Sequence, residues 1–106
     1  MADSALIYRI DSASAIVQHH RLVISANGAV NSGGWTRPEL VIEQPSASEA
    51  RIIKVRFVAK PPSAGEAVIQ ALLPIKVQRI ALLPRYGAKK VEVIAATNAV
   101  TVAITR

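Results

Sequence analysis

His19 and His20 are the first residues of this 106-residue chain to suggest chemistry, because imidazoles bind metals and move protons. They sit in a run rich in β-branched residues, Ile16–Ser25. Neighbouring side chains on a strand point to opposite faces, so regular β geometry keeps both rings away from one metal ion. A zinc site also needs three or four ligands, and no Asp/Glu/His cluster in the sequence completes one. The pair reads as one solvated strand position and one partly buried imidazole. The chain has no cysteine, which removes thiol nucleophiles, thiolate metal sites and disulfides. Serines occur, but no Gly-x-Ser-x-Gly elbow does. Glycoside hydrolysis needs two opposed carboxylates, and the seven acids single out no pair. The glycine-rich Asn31-Ser-Gly-Gly-Trp35 matches neither a phosphate loop nor a dinucleotide fingerprint. The expectation is therefore no enzyme, no cofactor and no metal.

Charge offers a second chemistry. The formal net charge is +6, and basic domains tend to meet anionic partners. Arg85, Lys89 and Lys90 form the densest local group, with Arg37 as an addition, and these four are the candidate anion-binding residues. Lys and Arg are nevertheless spread from Arg9 to Arg106 without a compact block, so the charge reads first as a solubility device. Nucleic acid is disfavoured as a partner. An oligonucleotide-binding barrel mixes basic and aromatic residues on one sheet face, whereas Lys54 and Arg56 alternate with Phe57 on the opposite parity.

Trp35, the sole tryptophan, follows Gly33-Gly34 and precedes Thr36-Arg37-Pro38. Sugar or base platforms usually use several aromatics, and the other three are far away in sequence. We read the ring as a core plug: the two glycines let the chain bend inward, and Pro38 then runs along a sheet edge, where a missing N–H is tolerated. Gly33, Gly34, Trp35, Pro38 and Asn98 are thus the structural candidates.

These residues are carried by short strands. Leu6, Tyr8 and Ile10 share a parity, which predicts an edge strand over 5–10, followed by a Ser/Ala-rich joint over 11–15. A strand over 16–25 ends at Asn27-Gly28, a hairpin-turn signal, and Ala29-Val30 begins the return. Pro38 interrupts the ladder, and Leu40–Ile42 resumes it. A polar connection, 44–48, leads to the best strand, Arg51–Ala59, with Ile53, Val55 and Phe57 on one face. Residues 63–73 read as a buried strand or, given the Ser63-x-x-Glu66 capping box, a two-turn helix; the strand is preferred because Pro74 cuts the run and Gly65 sits in the first turn. Over 75–83, Ile75 and Val77 share one parity while Ile80 and Leu82 take the other, and a bulge at Gln78-Arg79 would reconcile them. After a turn at 84–87, strands 89–95 and 100–104 form a hairpin around Thr97-Asn98, asparagine being the best acceptor of αL after glycine.

Seven or eight short strands at roughly ten-residue spacing predict one all-β domain over residues 1–106, an antiparallel two-sheet sandwich with immunoglobulin-like topology. Hydrophobic residues make up 51% and aromatics 4%, so the core must be aliphatic. Ser32-Gly-Gly-Trp-Thr-x-Pro-x-Leu40 and Val91-x-Val-x-Ala-Ala-Thr-Asn-x-Val100 together resemble patterns in small uncharacterised bacterial β-sandwich proteins. That resemblance covers about a fifth of the chain and implies a sandwich fold and a bacterial origin, with no activity to carry over. No apolar run approaches the roughly 18 residues of a membrane span. The lack of cysteine fits the cytoplasm, and fits the periplasm equally if a signal peptide once preceded Met1. The first functional reading is a non-catalytic accessory or binding domain, with an unknown protein partner or self-association through a sheet edge. The second is a basic module for nucleic acid or acidic polysaccharide, and the third is an enzyme of unrecognised type.

Overall fold

The computed structural model describes residues 4–43, 52–63, 65, 67–82 and 89–105. Strands account for 70% of these, and no described residue is helical. The eight strands are β1 Ala5–Leu6, β2 Arg9–Gln18, β3 Arg21–Val30, β4 Thr36–Ile42, β5 Ile52–Lys60, β6 Leu73–Leu82, β7 Lys90–Ile94 and β8 Ala99–Thr105. They join in the order β1-β5-β7-β8-β2-β3-β6, with β4 also paired to β5. β4 takes one edge of β5, while β7 and β1 share the other edge end to end, β7 on Ile52–Arg56 and β1 on Val58–Ala59. The pairings β5·β7 and β2·β8 are parallel. The sheet is therefore mixed, where alternation alone had suggested antiparallel ladders throughout.

One half of the sheet, around β5 and β7, curls like half a barrel. The other half is the meander β2–β3–β6. β8 links them: it pairs with β7 along Ala99–Ala103, then meets β2 at Ala15↔Ile104 and Ile16↔Thr105. Both halves feed one core. Ile10, Ala15, Leu22, Ile24 and Ala26 come from β2 and β3; Leu40, Ile53, Val55, Phe57, Val91 and Val93 come from the other half. Phe57 is completely buried, and the remainder is aliphatic, as the aromatic-poor composition requires. The Ile53/Val55/Phe57 face expected of β5 is this core face, with Lys54 and Arg56 outside.

The two edge strands, β4 and β6, lie beside each other. Leu40 is next to Arg79, whose Nη1 donates to the Leu40 carbonyl at 2.7 Å, and Trp35 is next to Leu73–Ile75. Chain residues thus advance in step, so the edges run in the same direction. A side chain bridges them instead of a backbone ladder.

Several local expectations give way to packing. The predicted edge strand over 5–10 breaks at Ile7-Tyr8, where the chain crosses between the halves: Ile7 N donates to Phe57 O and Tyr8 N to Ala29 O. Ile7 is fully buried and Tyr8 is on the surface, the reverse of the expected parity. The predicted joint at 11–15 lies inside β2, whose register shifts between Ile10 and Ser12. His19-His20 is not mid-strand. It is the two-residue loop of the β2–β3 hairpin, closing on the Gln18↔Arg21 pair, with φ of 50° and 64°. Positive φ at both positions defines the turn that matches strand twist, and histidine is among the residues enriched there. Asn27-Gly28, the expected turn, is instead inside β3, opposite the β2 bulge. A Cβ at Gly28 would overlap the Arg9 carbonyl and Ile7 Cδ1, so the glycine serves close strand approach. Residues 67–72 form neither strand nor helix, and Ile69 is 71% exposed, so the preferred buried strand over 63–73 is wrong; β6 starts only at Leu73. β6 then pairs with β3 residue for residue from Leu73 to Leu82, without the expected bulge. The predicted connection at 44–48 and turn at 84–87 lie outside the described residues.

A candidate binding face on strands 2, 3 and 6

The unbroken β3–β6 register has a chemical consequence. Leu73, Ile75 and Val77 pack against the core, so Ile80 and Leu82, of opposite parity, must face outward. They are 62% and 75% exposed. Register then lays out the whole outer face of the meander in rows. Gln18, Arg21 and Leu82 form the row nearest the His19-His20 turn; Ile16, Val23 and Ile80 form the next; Ser14, Ser25 and Gln78 follow; Ser12, Asn27 and Lys76 come last. Directly opposed residues in such rows are near neighbours, about 5 Å apart between Cα atoms. Ile16, itself 40% exposed, therefore completes an apolar row three strands wide.

The far end of this face is polar and hollowed. One depression of 380 Å³ is lined by Ser25, Asn27, Lys76 and Gln78 among others. A second, of 340 Å³, is lined by Asp11, Asn27, Gly28 and Lys76 among others, so the two share Asn27 and Lys76. The bulge that turns Asp11 out of register places it here. Asp11 Oδ1 accepts from Arg9 Nε at 2.8 Å, and Asn27 Nδ2 donates to Ser12 Oγ at 3.1 Å.

The sequence-derived candidates fall elsewhere and apart. Lys89 and Lys90 are exposed at the start of β7, where Lys90 pairs with Ile52 and Ala103. Arg37 lies at the opposite end of β5, beside the Thr36↔Lys60 pair, so about 25 Å of strand separates it from the two lysines. Arg85 lies outside the described residues. The three described residues, Arg37, Lys89 and Lys90, are not gathered into a common site.

The structural candidates have distinct roles. Gly34 has φ of 86°, which glycine adopts without strain, and so it marks the bend before β4. Gly33 is held by its backbone, N to Ile69 O at 2.8 Å, and a Cβ there would meet only ordinary contacts. Trp35 is half-buried and packs against the core, with Val30, Leu73 and Ile75 lining the 150 Å³ hollow beside it. Its Nε1 is buried and has no hydrogen-bond partner among the described residues. Pro38 is exposed on the edge strand β4, within the register shift between Thr36 and Glu39, and Arg37 before it has φ of 53°. The ladder to β5 is interrupted at Arg37-Pro38 as expected and resumes at Glu39, one residue before the expected Leu40, while the strand itself runs on through the proline.

Asn98 departs furthest from its expected part. It is not in the left-handed region. Its side-chain amide instead imitates a strand: Nδ2 donates to Ile10 O at 2.9 Å, and Oδ1 accepts from Ile10 N at 2.8 Å. Ala96 N also donates to Ile7 O, while Thr97 N and Oγ1 both donate to Tyr8 O. The β7–β8 loop thus clamps the crossover between halves.

Among the described residues, no group of three His, Asp or Glu side chains is placed to hold a metal ion. No helix in that set is long and apolar enough to cross a membrane. The chain matches no family model, no curated protein and no solved structure.

Proposed function

We propose that this chain is a non-catalytic binding domain whose contact surface is the outer face of β2, β3 and β6. One observation carries the reading: Ile16, Val23 and Ile80 line up across three strands, with Leu82 alongside, on a face that packs against nothing described. Single exposed apolar residues are ordinary, but an aligned group bordered by polar side chains is the usual form of a contact surface. The face is favoured over a sheet edge because β4 and β6 already lie against each other through Arg79 and Leu40. In the same reading the curled half and the meander are the two layers of a sandwich, supported by the core that both supply. The likeness to small bacterial β-sandwich proteins belongs to this proposal too.

The test is affinity purification from the native source with the wild-type chain and with the Ile80→Ser/Leu82→Ser double variant. Both positions are exposed, so circular dichroism of the variant is expected to match the wild type. A partner held by the wild type and lost by the variant supports the reading. A partner held equally by both overturns this choice of face.

A further inference from the structure

Resting on that binding face, we propose that its occupant is an extended polypeptide segment that places apolar side chains over the Ile16–Val23–Ile80 row and carboxylates over Arg21 and Lys76. The charge layout carries the inference. Arg21 lies one row to one side of the apolar row, next to Leu82, and Lys76 lies two rows to the other side. Neither cation has an ion-pair partner among the described residues. Among the described residues the one carboxylate at this face, Asp11, is engaged by Arg9 at 2.8 Å. The free charge of the face is therefore positive at both ends.

Spacing gives the partner its shape. Arg21 and Lys76 are six positions apart along the strand direction, since Lys76 pairs with Asn27. At about 3.3 Å per residue that is roughly 20 Å. A segment lying along β3 would meet Arg21 with one acidic side chain, the apolar row two residues on, and Lys76 four residues after that. All three positions have the same parity, so one face of an extended strand supplies them. Between them lie the short side chains of Ser14 and Ser25 and the shared hollow at Asn27, which leave room for the segment to lie flat.

Two other occupants fit less well. A second copy would bring a face with the same two free cations, in a chain of net charge +6, against its like. A lipid surface is best met by an apolar protrusion, whereas the exposed loop at the end of this face is His19-His20.

The experiment titrates the full chain with three probes and follows backbone amide shifts. They are a short synthetic peptide with glutamate, leucine and glutamate at its first, third and seventh positions and serine elsewhere, its counterpart with lysine in place of glutamate, and phosphatidylglycerol vesicles; sedimentation reports self-association. Expected is binding of the glutamate peptide, with shifts at Ile16, Arg21, Val23, Lys76, Ile80 and Leu82. Arg21→Glu and, separately, Ile80→Ser/Leu82→Ser should each weaken it about tenfold. Equal binding of the lysine peptide, or shifts elsewhere on the chain, overturns the inference. Vesicle binding or dimerisation abolished by Ile80→Ser/Leu82→Ser also overturns it, while leaving the binding face itself intact. If no probe moves these residues, the inference falls, while the face is decided separately by the affinity purification.

Discussion

Asn98 shows how much a single side chain can carry in a small sheet protein. An extra strand residue opposite Ile10 would supply one N–H and one C=O, and the carboxamide supplies the same pair from a loop. Both partners are backbone groups in a partly buried position. Removing the amide leaves them without protein partners, which costs about 1–3 kcal/mol for each unsatisfied group. Because the position is only partly buried, the two losses fall at the low end, and Asn98→Ala is expected to lower stability by about 2 kcal/mol, measured by urea unfolding with an unchanged slope. The sequence singled out Asn98 for its backbone tolerance, whereas the structure uses its side chain. Nothing local distinguishes those uses, because the partner, Ile10, is 88 residues away. Trp35 is comparable. Its place against the core follows from its size and rarity, yet the burial of Nε1 depends on how β3, β4 and β6 meet.

At the scale of elements, the β2–β3 hairpin is informative. Its loop holds two histidines in the left-handed region, while an Asn-Gly pair better suited to that turn is used inside β3. Left-handed backbone costs a residue with a Cβ about 1–2 kcal/mol. The double replacement His19→Asn/His20→Gly should raise the thermal midpoint, with a gain of about 1 kcal/mol. A lower midpoint would mean that the imidazoles do something for the fold beyond closing the turn. The hairpin was misplaced in the sequence because Asn-Gly is the stronger turn signal, yet pairing of Asn27 and Gly28 with β6 and the tight approach of Arg9 to Gly28 outweigh it. β6 gives the opposite lesson. Its alternation breaks between Val77 and Ile80, and inserting a bulge keeps every apolar residue inside. The ladder keeps its register instead and leaves Ile80 and Leu82 outside, so a break in period was the visible trace of this exposed apolar row.

At the scale of the molecule, the fold is an eight-stranded mixed sheet extending 46 Å along its longest axis, with its edge strands β4 and β6 drawn together. Edge strands expose unpaired backbone groups and invite association. Here the Arg79 guanidinium reaches across to Leu40 O, a charge-assisted bond in a partly buried setting. Arg79→Met keeps the apolar stem and removes the donor. It should cost about 1.5–3 kcal/mol and speed amide exchange along β4 and β6, read by native-state hydrogen exchange. Exchange unchanged in both strands would show that packing alone holds the seam.

Strand character, the aliphatic core and the buried face of β5 were determined by the sequence itself, because period-two alternation and β-branched composition act over neighbouring residues. The β7–β8 hairpin was legible on the same grounds. Which strands pair, in which direction and around which crossover was decided only by tertiary structure. The parallel joins β5·β7 and β2·β8, the clamp of Asn98 on Ile10 and the seam of Arg79 on Leu40 all link residues far apart in the chain. Local preferences carry no record of such partners, because each contact takes its free energy from burial and hydrogen bonding that exist only once both halves have come together.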